Sequence, residues 1–235
     1  MLMKKITLLL CAAILMFAMV SGCINMKMTE NVKVDKNAQI ASMKMSMKMD
    51  RSTYNYMKMA ASNEGKSSVK ELISANLSKS IGSENAIYNE IWDNENDKVT
   101  ISVERTDTHL PAADSKITIQ KINNQIIYED TSFYSEEKPK ETSPYFNESQ
   151  MEQMSNMMLS GISMDYYLEM PGNIVETNAG NVTGNRAEWH LSGSDISKTK
   201  IYAKSDIPAL PGFTALFAII ALTMIIGYFG IIKKK

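Results

Sequence analysis

The chain has 235 residues, 44% of them hydrophobic, with 25 Lys+Arg against 26 Asp+Glu and a formal net charge of −1. Five lysines lie outside residues 24–206, which therefore hold 20 basic and 26 acidic residues, a net −6 that argues against a nucleic-acid partner. The only cysteines are Cys11 and Cys23, so nothing beyond residue 23 can form a disulfide, a thiol nucleophile or a cysteine metal site.

Lys4 and Lys5 open a short basic region, and the apolar stretch Ile6–Val20 has signal-peptide length. Val20-Ser21-Gly22-Cys23 closes it with small residues ahead of a cysteine. This resembles the lipobox of lipoproteins, which implies a signal peptide over residues 1–23 and lipidation of Cys23. One acyl chain holds a membrane weakly, and a second signal makes the attachment stable.

Residues 24–204 read as one exported domain. MKM at Met26–Met28, MKMSMKM at Met43–Met49 and MKM at Met57–Met59 alternate apolar with basic or small polar residues, the period of strands with methionines on one face and lysines on the other. Asp35-Lys36-Asn37 supplies a turn between strands of about 24–34 and 38–49. SSVKELISANLSKSIG then fits an amphipathic helix capped by Ser67 or Ser68 with Glu71. Val69, Leu72, Ile73, Leu77 and Ile81 lie on its inner side, and Gly82 ends it. Two further hairpins follow: Ala86–Trp92 with Lys98–Arg105, and Lys116–Ile122 with Gln125–Thr131 around Asn123-Asn124. The charged, proline-bearing run 132–149 reads as a surface loop. Ser149 caps a short helix that turns Met151, Met154 and Met158 inward. Sequons at Asn76, Asn147 and Asn181 mark possible glycan sites and hence surface positions.

The last folded unit is strand, Pro171-Gly172 turn, strand, a turn through Gly184-Asn185, and a strand around Trp189. Pro171, Gly172, Ile174, Asn178, Val182, Gly184, Asn185 and Trp189 give it a pattern that resembles the LppM-like domain of exported lipoproteins. The resemblance spans some 40 residues and implies a lipid- or envelope-binding role.

After a linker at 205–212 the chain has no charge until Lys233, Lys234 and Lys235. Residues 213–232 would reach roughly 30 Å as a helix, the thickness of a bilayer's hydrocarbon core. The three lysines of 233–235 then place that end in the cytoplasm and the bulk of the chain outside the cell. Pro211-Gly212-Phe213 before the apolar run resembles the PGF-CTERM sorting signal of archaeal surface proteins. That resemblance implies an archaeosortase-type processing enzyme, which removes the helix and joins the new end to membrane lipid.

For chemistry, the methionines stand out. Thioethers on one strand face suit soft metals such as Cu(I), and Met43, Met45, Met47 and Met49, with Met26 and Met28 across the hairpin, are the candidate ligands. Packing is the simpler use of such a face, because methionine fills irregular gaps. His109 and His190 have no metal-ligand partner at helical spacing, and no nucleophile elbow, phosphate loop or zinc motif is present. The expectation is therefore an α+β fold: one antiparallel sheet of about six to eight strands, two helices on one face, and a C-terminal transmembrane helix. Its expected role is a non-enzymatic, cofactor-free envelope protein that binds or presents a ligand or lipid. A Cu(I)-binding lipoprotein and a membrane-tethered hydrolase are the rival readings.

Overall fold

A computed structural model describes residues 25–74, 86–106, 115–135 and 159–208. Eleven strands run β1 (Met26–Val34), β2 (Ile40–Asp50), β3 (Ile87–Asp93), β4 (Lys98–Arg105), β5 (Ile117–Ile122), β6 (Gln125–Asp130), β7 (Ile162–Glu169), β8 (Ile174–Thr177), β9 (Asn181–Thr183), β10 (Arg186–Ser192) and β11 (Ile201–Asp206). Helix α1 spans Arg51–Asn63, helical residues 69–74 form α2, and the single turn α3 spans Asp195–Lys198. Seven strands make one sheet in the order β3-β4-β2-β1-β7-β10-β9, and four make a second, β5-β6-β11-β8.

The inward positions follow the two-residue period of the strands. On β1 these are Met26, Met28, Glu30, Val32 and Val34, and on β2 Met43, Met45, Met47 and Met49, in the register Met26↔Met49, Met28↔Met47, Glu30↔Met45 and Val32↔Met43. The predicted hairpin forms, turned by Asp35, whose carboxylate accepts from the Asn37 and Gln39 backbone N–H groups at 2.8 and 3.0 Å. The lysines point the other way and meet acids across the strands: Lys27–Asp165 at 2.8 Å, Lys33–Glu169 at 2.6 Å and Lys44–Glu104 at 3.3 Å.

Two apolar clusters share the inner face of the large sheet. Val32, Met43, Met164, Tyr166, Leu168 and Trp189 pack against Ile126, Tyr128, Ile201 and Ala203 of the small sheet. Further along, Met49, Val99, Ile101 and Val103 pack with Val69 and Ile73 of α2, and Tyr54 and Met57 of α1 lie against them. The start of α2 is a capping box: the Glu71 N–H donates to Ser68 Oγ at 3.2 Å, while the Glu71 carboxylate accepts from the Ser67 N–H at 2.7 Å. That carboxylate is held below its usual range by the bonds from Ser67. Val69, Leu72 and Ile73 are buried, as their spacing predicts. Leu77, Ile81 and the expected helix at 149–159 up to Met158 lie outside the described residues.

The expected α+β fold with a single antiparallel sheet is corrected to a mainly β fold of two packed sheets. Three physical features account for the difference. The pairing of β1 with β7 is parallel, with Met26↔Ile162 through Lys33↔Glu169, and joins segments about 136 residues apart, which no local pattern announces. Met57-Lys58-Met59 belongs to α1, where Thr53, Met57 and Ala61 share one side at four-residue spacing; three alternating residues suit a helix as well as a strand. A second sheet, and not a helix alone, covers the inner face of β1. The predicted transmembrane helix, residues 213–232, lies outside the described residues, and among those described no helix is long and apolar enough to cross a membrane.

Pro171 and Gly172 mark the point where the chain leaves β7 in the large sheet for β8 in the small one. A Cβ at Gly172 would sit 2.0 Å from the Asp206 carbonyl oxygen, so only glycine lets the two segments meet. Asn185 closes the corner, donating from Nδ2 to the Met170 carbonyl at 2.9 Å, and Gly184 beside it holds a φ of 61°. Asn178 Oδ1 accepts from both Trp189 Nε1 and the Tyr202 N–H at 3.1 Å, tying β10 to β11. We therefore expect Gly172→Ala to cost about 1–3 kcal/mol or more, read as a lowered urea midpoint at unchanged slope.

Candidate functional site

An acid stands in the methionine face. Glu30 occupies an inward position of β1 between Met28 and Val32, and it is 2% exposed. Its strand neighbours are Met45 on β2 and Tyr166 on β7. From the facing sheet, β6 brings Tyr128 and Asp130, which are 0% and 2% exposed. The Tyr128 and Tyr166 hydroxyls are 2.5 Å apart, and the Tyr166 hydroxyl lies 3.0 Å from Asp130 Oδ2. Asp130 Oδ1 accepts from the Ser132 N–H at 2.7 Å.

These distances fix the direction of the chain of bonds. An ionised carboxylate only accepts, so the Tyr166 hydroxyl donates to Asp130 and the Tyr128 hydroxyl donates to Tyr166. Burial raises the Asp130 carboxyl, and the hydrogen bonds from Ser132 and Tyr166 oppose that rise. Glu30 has no such support. Burial, then the nearby Asp130 charge, push its carboxyl well above the usual range, and its Oε2 has no hydrogen-bond partner. The cluster thus divides into Asp130 as the carboxylate and Glu30 as the neutral acid. Both tyrosines are pushed up by burial and remain protonated.

The predicted methionine set does not converge on one point. Met43 packs under the small sheet and Met49 with the helices, and six residues of strand separate them by roughly 20 Å. Met45 and Met47 lie between, half-buried, with Met26 and Met28 beside them. Among the described residues no three His, Cys, Asp or Glu side chains are grouped to hold a metal.

His190 lies on the outer face of β10. Its Nδ1 is 2.7 Å from Asp165 Oδ1, and Asp165 Oδ2 also meets Lys27, so both partners hold that carboxyl below its usual range. His190 Nε2 lies 3.8 Å from Glu188 Oε2, where a nucleophile's hydroxyl would have to be. This Asp–His pair is part of an exposed ion-paired surface, with Arg186 stacked 4.6 Å over Tyr167. Asn181 is exposed on the edge strand β9, and its Nδ2 donates to Glu188 Oε2 at 3.3 Å. Cys23, Asn76, Asn147, His109, Pro211, Gly212 and Phe213 lie outside the described residues.

No family model matches the chain. It is 37% identical over 213 residues to an uncharacterized protein of Archaeoglobus fulgidus, covering 91% of this chain and 90% of that one. The chain belongs to the family of that archaeal protein. Among solved structures, the NMR structure of the folded domain of Mycobacterium tuberculosis LppM matches over 81% of this chain and 95% of that one, with 9% identity and a TM-score of 0.44.

Reasoning from sequence missed the Glu30 cluster, although one signal was present: Glu30 falls on the inward phase of an otherwise apolar alternation. A raised carboxyl favours the fold below its unfolded pKa, and that advantage is lost as pH rises toward the folded value. We therefore expect wild-type stability to fall with rising pH above the ordinary glutamate range, and Glu30→Gln to flatten that fall. Urea midpoints from pH 4 to pH 8 for both proteins measure it. Tyr166→Phe should cost about 1–3 kcal/mol at pH 7, because Asp130 and Tyr128 each lose a buried partner.

Proposed function

We propose that the chain is a non-enzymatic surface protein held on the outer face of an archaeal cell membrane by lipid. The lipobox at Val20–Cys23 lies three residues before β1, so a lipid on Cys23 would place the domain directly on the bilayer. At the other end Pro211-Gly212-Phe213 follows β11 by five residues, where an archaeosortase-type enzyme would exchange the apolar tail for a second lipid. Two lipids give the lasting attachment that one does not.

One observation of the fold supports this reading. Met26 begins β1 at the Ile162 end of β7, whereas Asp206 closes against Gly172, just past the Glu169 end. The chain therefore enters and leaves the domain at opposite ends, on the order of 25 Å apart along the strands. With both short spacers fixed to one bilayer, the strands would lie parallel to it and display a broad face outward. The outer face of the large sheet, with its paired lysines and acids and exposed Asn181, suits presentation to solvent or to a partner.

Expression of the full chain in an archaeal host tests this. Intact mass should show a mature chain beginning at a lipid-modified Cys23, recovered with membranes after high-salt washing. Cys23→Ala should abolish that mass shift, and together with deletion of residues 211–235 it should release the protein. Recovery of an unmodified, full-length chain in the soluble fraction would overturn the proposal.

A further inference from the structure

The large sheet ends on two strands that are paired on one side only, β3 and β9. Strand β9 has three residues, and at the ends of the small sheet β8 has four and β5 carries Lys121. Short length and lysine are common guards of an open edge. Strand β3 has neither. Its seven residues, Ile87–Asp93, contain no lysine, arginine or proline, and its pairing with β4 runs without a bulge. Ile87 and Ile91 stand on its outer face, 57% and 64% exposed, with exposed Asn89 between them. On its inner face Trp92 is 40% exposed, while Tyr88 and Glu90 are half-buried. Among the described residues no strand pairs with the far side of β3.

We propose that β3 is a homodimer interface, pairing antiparallel with β3 of a second copy of this chain across a two-fold axis at Asn89. The residues of the edge select a copy of themselves. A two-fold normal to the sheet matches each face with its own kind, so the axis must pass through a residue. Centred on Asn89, the segment Ala86–Trp92 is self-complementary. On the outer face Ile87 of one copy meets Ile91 of the other, and Asn89 meets Asn89. On the inner face Tyr88 meets Glu90, hydroxyl against carboxylate, and Trp92 meets Ala86, large against small. Tyr88 and Glu90 already make this bond within one copy, at 2.8 Å. Moving the axis by one residue destroys the fit. At Glu90 it sets two carboxylates face to face and Ile87 against Asp93; at Tyr88 it sets Ile87 against Asn89 and Glu90 against Ala86. The axis also leaves both outer faces on one side of the joined sheet, as two copies on one membrane require, though the pairing does not rest on the membrane reading.

Sedimentation equilibrium and cysteine cross-linking of the full chain in detergent provide the test. The wild type should sediment as a dimer. Asn89→Lys sets two lysines face to face and should raise the dissociation constant roughly tenfold or more, with an unchanged urea midpoint because the site is exposed. Register is read from single cysteines placed in the full chain carrying Cys11→Ala and Cys23→Ala. Opposed Cβ atoms about 5 Å apart come close to the roughly 4 Å of a disulfide. Asn89→Cys should therefore link to itself on oxidation. Ile87→Cys and Ile91→Cys should link to each other when the two proteins are mixed, and Val182→Cys on the opposite edge should stay unlinked. A monomeric wild type, a dimer that Asn89→Lys leaves intact, or cross-links that ignore this register would each overturn the proposal.

Discussion

The fold depends on β1 being paired on both edges. Its antiparallel bond to β2 is local, closed by the Asp35 turn, but its parallel bond to β7 must wait for residues beyond 160. Once both form, the inner face of β1 is fixed as the middle of a sheet, and something apolar has to cover it. The small sheet covers one half and the helices the other. Everything distinctive about the interior follows from that division: two clusters, a seam between them, and the half-buried side chains along it. Because the deciding contact is so distant in sequence, closing it carries the entropy of a long loop, and folding should be slow for this reason.

Local features were legible. The hairpin turns carry their own signals: Asn123 with φ 55° joins β5 to β6, and Asp97 with φ 53° ends the β3–β4 turn. The α2 cap was written in Ser68 and Glu71, and the methionine–lysine alternation correctly gave the two faces of β2. The long-range features were not legible. Alternation says which side of a strand is buried but not what buries it, and so the second sheet went unseen. Strand β11 shows why: its inward positions are Ile201, Ala203 and Ser205, and a small residue and a hydroxyl blur the pattern. At 57–59 two periods fitted equally, and only the neighbouring Thr53 and Ala61 decide for the helix.

The motif residues of the last unit turn out to serve the architecture. Pro171, Gly172, Asn178, Gly184 and Asn185 all act where the chain passes from one sheet to the other. Gly172 permits a close approach, while Asn178 and Asn185 satisfy backbone groups that a corner would otherwise leave unpaired. Trp189 is the apolar anchor of the same corner, 2% exposed and edge-on to Tyr166 at 5.7 Å. Its ring is thus one contact from the acid cluster, so the corner and the cluster share a wall.

That shared wall bears on why an acid persists at position 30. A leucine there would add apolar area on a face already built of methionine, valine and tyrosine, and would remove a buried carboxyl oxygen that nothing satisfies. Stability alone therefore argues against glutamate. Asp130 does not supply the reason, since its charge repels an ionised Glu30 and its own bonds are complete without it. Structure on the other three sides is equally indifferent: Met28, Met45 and Val32 offer no donor. Among the described residues its Oε2 meets no hydrogen-bond partner, so what holds the acid inside is the register of β1, which fixes position 30 on the inward phase between Met45 and Tyr166.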